Sequence, residues 1–149
     1  MITMRRALIA SLVLAILGAG VGAYLIRVHY DIDALVCGTG DCEVVQTSEY
    51  ATVMDIPIAI FGTAMYLTVL GLTILRLRKP DLSLPASTAA LAITAAGTLY
   101  SAWLTWIEIY ELEAICQWCV VSATLTTLLF ILEVVIFAKL WGEASIEDD

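Results

Sequence analysis

The sequence predicts an all-α integral membrane protein, a four-transmembrane-helix bundle with a long outer loop between helices 1 and 2. Three observations carry that prediction. Of 149 residues, 61% are hydrophobic and 15% charged, more apolar surface than a soluble domain of this size can hide. Four runs are long enough to cross ~30 Å of hydrocarbon at ~1.5 Å of rise per residue. Cations and acids fall in alternate connections, which sets an orientation. The apolar runs fill most of the length, so residues 1–149 are read as a single membrane domain.

Helix 1 is placed at about 7–28, where Ala7 to Ile26 holds no charge and Gly18, Gly20 and Gly22 let a neighbouring helix come close. A signal peptide over Met1 to Gly22 is the competing reading, given Arg5 and Arg6. The run is too long for an h-region, and no small-x-small site ends it. Residues 29–55 form the outer loop. Helix 2 is placed at about 56–75, with Pro57 at its start, where a missing N–H costs nothing, and Arg76, Arg78 and Lys79 beyond its end. Helix 3 is placed at about 84–107 and closes on Tyr100, Trp103 and Trp106, a belt suited to the headgroup boundary. Helix 4 is placed at about 115–140, ahead of an acidic tail at 142–149.

If these helices alternate, Arg5, Arg6, Arg76, Arg78, Lys79 and Lys139 share one side, and only Arg27 falls toward the other. The positive side is the cytoplasm. The expectation is a multi-pass protein of the cytoplasmic (inner) membrane with both termini cytoplasmic and all four cysteines on the extracytoplasmic side, where disulfides persist. The net charge of -8 and the lack of a basic patch exclude nucleic acid as a partner.

The chemistry centres on Cys116-Gln117-Trp118-Cys119. At the start of a helix both sulfurs sit on the first turn, near enough to bond to each other and exposed to the dipole that stabilises a thiolate. The nearby acids Glu108, Glu111 and Glu113 would oppose ionisation, so they are expected to be turned away or solvated. A second pair, Cys37 and Cys42, encloses Gly38 and Gly40 in a compliant turn. Electrons can pass between the pairs only if that loop folds down on the bundle, because exchange needs a thiolate in line with a disulfide.

Several stretches together resemble the vitamin K epoxide reductase family in its bacterial or archaeal single-domain form. They are Cys37 and Cys42 in the first outer loop, Ser48 six residues on, the run Ile56-Pro57-Ile58-Ala59-Ile60-Phe61-Gly62, and Trp106-Ile107-Glu108 ahead of Ile115-Cys116-Gln117-Trp118-Cys119. The DsbB-type oxidases carry their C-x-x-C in the first outer loop, the reverse order. The resemblance implies a quinone-coupled thiol–disulfide oxidoreductase that supports disulfide bond formation. It implies that Cys37 takes electrons from a secreted or membrane-anchored thioredoxin-like (DsbA-like) protein, that Cys42 relays them to Cys116, and that Cys119, as the thiolate that donates electrons, faces a membrane quinone, ubiquinone or menaquinone. The quinone pocket it implies draws on Ile58, Phe61, Met65, Ser122 and Ala123, with Ser48 positioning the loop above. Vertebrate members have an asparagine at the position of Ile58 and a tyrosine at that of Ala123, so vitamin K epoxide is not the expected substrate. Two resting connectivities stay open, Cys37 with Cys42 or Cys42 with Cys116.

Other readings compete. Four cysteines could form two structural disulfides, although stapling so short a loop gains little chain entropy. A zinc site would need more than C-x4-C and C-x-x-C without histidine, and no metal is expected. His29 reads as an interfacial residue and Arg27 as a snorkelling side chain or a partner of Asp31. Glu133 could mark an ion path, so a small four-helix transporter or membrane adaptor is the alternative function. Its nearness to Lys139 and the inner surface favours solvation or an ion pair.

Overall fold

The computed structural model describes residues 3–147. Four long helices, α1 (Met4–Tyr30), α3 (Ile58–Arg78), α4 (Ser83–Tyr110) and α5 (Gln117–Glu147), form an all-α bundle, and the short helix α2 (Cys42–Gln46) lies in the loop after α1. Among the described residues, four helices have the length and apolar character to cross a membrane. In the bundle α1 and α4 are each flanked by α3 and α5.

The polarity of the bundle is arranged for lipid as solvent. Large apolar side chains such as Ile9, Val13, Ile16, Leu128 and Ile131 point outward, while the buried α1 positions include the small residues Ala7, Ser11, Ala15, Gly18 and Gly22, a stripe at helical spacing, along with Leu8, Leu25 and Val28. Small residues bring backbones together where no hydrophobic gradient between lipid and protein drives association. A β-carbon at Gly18 would run into the Tyr66 ring, and one at Gly22 into Thr63. Gly20, expected to share this role, faces open space. Threonine hydroxyls, including those of Thr63, Thr73, Thr94 and Thr126, donate to the carbonyl four residues back, which satisfies these donors within their own helices.

At the end of the bundle away from the cysteines, all four spanning helices meet at one buried ion pair. Arg76 on α3 grips Glu133 on α5 with two nitrogens, at 2.7 and 3.0 Å. Ser11 on α1 donates to the same carboxylate at 2.6 Å, and Arg76 also donates to Ser87 on α4 and to Thr73. Both charged side chains are fully buried. Of the two roles expected for Glu133, solvation or an ion pair, the ion pair is the one formed, and its partner is Arg76. The paired cation comes from the cluster assigned to the membrane surface, because α3 continues to Arg78 and carries Arg76 inward. Arg27 and Asp31 lie 3.8 Å apart on an exposed face, as expected.

At the opposite end the long loop is folded against the bundle. A two-residue turn at Met54 and Asp55, both with positive φ, joins the short strands β1 (Thr52–Val53) and β2 (Ile56–Pro57) and leads the chain into α3.

Candidate functional site

The turn between α4 and α5 sets the C-x-x-C in place. Glu113 adopts a left-handed conformation, and the Ala114 N–H donates to the Glu108 carbonyl at 3.0 Å, reversing the chain. Cys116 stands immediately before α5. Its backbone N–H donates to the Glu108 carboxylate at 3.0 Å, and its sulfur accepts the Cys119 N–H at 3.4 Å. That sulfur occupies the place of an N-cap oxygen, at the positive end of the helix. A hydrogen bond from the Cys119 thiol, aided by N–H groups of Cys119 and Trp118 and by the Gln46 side chain, outweighs burial and brings the Cys116 thiol down to about 7.

Two expectations change here. The sulfur that the helix start favours as a thiolate is Cys116, because α5 begins at Gln117 and puts Cys116 in the cap. Glu108 is not turned away: it is 5% exposed and also hydrogen-bonds the Cys119 thiol. Its attraction to the Cys116 N–H draws the carboxylate into the turn.

The loop pair is closed as a Cys37–Cys42 disulfide, while Cys116 and Cys119 are free thiols. The loop is stitched to the segment before α5. Gly40 pairs with Cys116 as an antiparallel bridge, and the Asp41 N–H donates to the Ile115 carbonyl at 3.0 Å. Cys42 and Cys116, both buried, belong to one apolar cluster with Val45 and Ala114. One helical turn after Cys42, the Gln46 amide reaches both sulfurs of the C-x-x-C, at 3.9 Å from Cys116 and 3.7 Å from Cys119.

Below this junction a cavity of about 580 Å³ opens among the helices, lined mostly by apolar groups. Cys119, Ile58, Phe61, Met65, Ser122 and Ala123 all contribute to its wall, and Ser48 sits at its rim. Ser48 donates to the Val45 carbonyl at 2.8 Å, which ties the rim to α2. The volume is in the range of small-molecule sites. Ile58 and Ala123 present no polar group to it.

Sequence reasoning missed Gln46 and Tyr66 in this wall, and it read Tyr100, Glu108 and His29, which also line it, differently. Tyr66 bridges α3 to α5 through the Ser122 carbonyl at 2.9 Å and the Thr126 hydroxyl at 2.6 Å. The spacing of Gln46 from Cys42, one helical turn, was a usable signal. For Glu108 the only signal was an acid sitting within the aromatic belt.

Compared one by one with curated proteins, the chain matches none. The family model described as the vitamin K epoxide reductase family matches residues 9–134, which takes in both cysteine pairs and reaches all four spanning helices. On that match the chain belongs to the vitamin K epoxide reductase family, membrane proteins whose common activity is thiol–disulfide oxidoreduction.

Proposed function

We propose that this protein is a quinone-coupled thiol oxidase that reoxidises a separate extracytoplasmic thioredoxin-like partner and thereby supports disulfide bond formation. The observation that carries the reading is one continuous arrangement. A loop disulfide lies against a reduced C-x-x-C, and the second cysteine of that motif lines a largely apolar cavity. The segregation of cations supports a cytoplasmic membrane location with both termini inside and the cysteines outside.

In this reading the partner's thiolate attacks Cys37, which breaks the Cys37–Cys42 bond and frees Cys42. Cys42 attacks Cys116 of an oxidised Cys116–Cys119 pair and releases Cys119 as the thiol. The partner's second thiol then displaces Cys37 and leaves as a disulfide. Cys37 finally attacks Cys42, restoring the loop disulfide and freeing Cys116. Two electrons have moved from the partner to the C-x-x-C, and the product is the state seen here, a closed loop pair beside two free thiols.

A quinone, if bound in this cavity, would supply the two-electron acceptor for re-forming the Cys116–Cys119 bond. Cys119, Ile58, Phe61, Met65, Ser122 and Ala123 would hold it, and Ser48 would keep the loop over it. Glu133 is saturated by Arg76 and Ser11, which supports the oxidoreductase over a transporter that uses this acid.

The test is quinone reduction by the purified protein in detergent, with a reduced thioredoxin-like donor or with dithiothreitol. Cys116→Ala and Cys119→Ala abolish turnover with either donor, whereas Cys37→Ala and Cys42→Ala abolish it with the protein donor only. Absence of quinone-dependent turnover with any donor would remove this reading.

A further inference from the structure

We propose that Gln117, the first residue between the two cysteines of the C-x-x-C, is the positioning residue that holds the Cys37–Cys42 turn in register for exchange with Cys116. The inference rests on the relay above and names what aligns it. Three donors of the turn converge on one atom, the Gln117 Oε1: the Gly38 N–H at 3.2 Å, the Thr39 N–H at 3.0 Å and the Thr39 hydroxyl at 3.2 Å. The neighbouring residue extends the same hold, with the Trp118 indole N–H donating to the Val36 carbonyl at 2.8 Å. That ring also lies against Tyr24, centroids 4.8 Å apart, and the Tyr24 hydroxyl accepts the Val36 N–H at 2.8 Å.

Residues 36–39 are thus held from beneath by the two residues that separate Cys116 from Cys119. Gln117 is the first residue of α5, so the helix start that fixes the Cys116 sulfur also fixes the oxygen that grips the turn. Exchange needs the attacking sulfur in line with the bond it breaks, and small misplacements of reacting atoms carry large losses in rate. A tie one residue from the receiving sulfur supplies that alignment.

All three contacts use the acceptor oxygen and none uses the amide as a donor. Gln117→Glu keeps the acceptor and Gln117→Ala removes it. The donors are exposed, so water satisfies them in the alanine variant and the fold persists.

The experiment uses the full chain in detergent, in a Cys37→Ala, Cys119→Ala background where Cys42 and Cys116 are the only thiols. Glutathione disulfide is the oxidant, and the Cys42–Cys116 bond forms with release of two glutathione thiols. The equilibrium constant against glutathione gives the effective concentration of one sulfur at the other. Gln117→Ala is expected to lower it about tenfold, on the order of one to two hydrogen bonds, and Gln117→Glu to restore it to within about twofold. An alanine variant equal to its parent, or a glutamate variant as impaired as alanine, overturns the role of Gln117. If no Cys42–Cys116 bond forms even with Gln117 in place, the relay itself falls and the inference falls with it.

Discussion

The Glu108 carboxylate accepts the Cys116 backbone N–H at 3.0 Å across the turn that joins α4 to α5. An acid at the end of one spanning helix therefore fixes where the next begins. Removing it strands a buried donor, which costs about 1–3 kcal/mol, whereas glutamine retains an acceptor. Glu108→Ala is expected to lower the unfolding free energy in detergent by that amount, and Glu108→Gln to leave it within about 1 kcal/mol of the parent. Equal stability of the two variants would mean that the tie contributes nothing.

The Cys116 thiol, held at about 7, gives a prediction in pH. The thiolate is the reactive form, so the rate of Cys116 alkylation by iodoacetamide, slow at every pH because the sulfur is buried, should rise about tenfold per unit below that value and level off above it. An unperturbed cysteine would keep rising to about 8.5. Because the Cys119 hydrogen bond is the largest cause of the lowering, Cys119→Ala should move the plateau to higher pH. Mass spectrometry of the Cys116 peptide follows both profiles, and an unmoved plateau would exclude that cause.

The Arg76–Glu133 pair joins α3 to α5 through residues 57 positions apart and is fully buried. Truncating one member leaves a buried charge unpaired, at a cost of about 3–5 kcal/mol, while replacing both with apolar residues is often neutral or stabilising. Glu133→Ala should therefore destabilise the bundle by about that amount, and Arg76→Met with Glu133→Leu should recover most of it. Unfolding in mixed micelles measures both. A double variant worse than the single would show that the polar cluster holds the helices together beyond its charge balance.

The spans were legible because uninterrupted apolar length is a local property, as in Ala7 to Ile26. Gly18 and Gly22 were legible as sites of close approach, although their neighbours Tyr66 and Thr63 were not. The four cysteines were legible as two closely spaced sets, but which bond is closed at rest was not, and the structure closes Cys37–Cys42. The partners of charged groups were not legible either. Arg76 belongs by sequence to a basic flank, and only the position of α5 brings Glu133 to it. Glu108 belongs by sequence to an acidic cluster that water would be expected to claim, and the turn at Glu113 folds the next segment over it. Gln117 carried no signal, since its role depends on where a loop about 80 residues earlier comes to rest.

Gly40 tests the stitching between the loop and α5 from the other side. Its φ is +88°, a conformation that side chains rarely adopt, and a β-carbon there would run into the Ile115 carbonyl. Gly40→Ala thus combines a left-handed penalty of about 1–2 kcal/mol with a clash at the carbonyl that accepts the Asp41 N–H. The turn can relieve both only by lifting away from Cys116. Cys116 and Cys119 keep their own supports in Glu108 and the start of α5. Turnover driven by a thioredoxin-like donor should therefore fall more than tenfold relative to turnover driven by dithiothreitol, since ~1.4 kcal/mol corresponds to a factor of ten. Steady-state quinone reduction with the two donors in parallel measures that ratio. A ratio equal to that of the parent would mean that the bridge between Gly40 and Cys116 is not what brings the loop cysteines to the C-x-x-C.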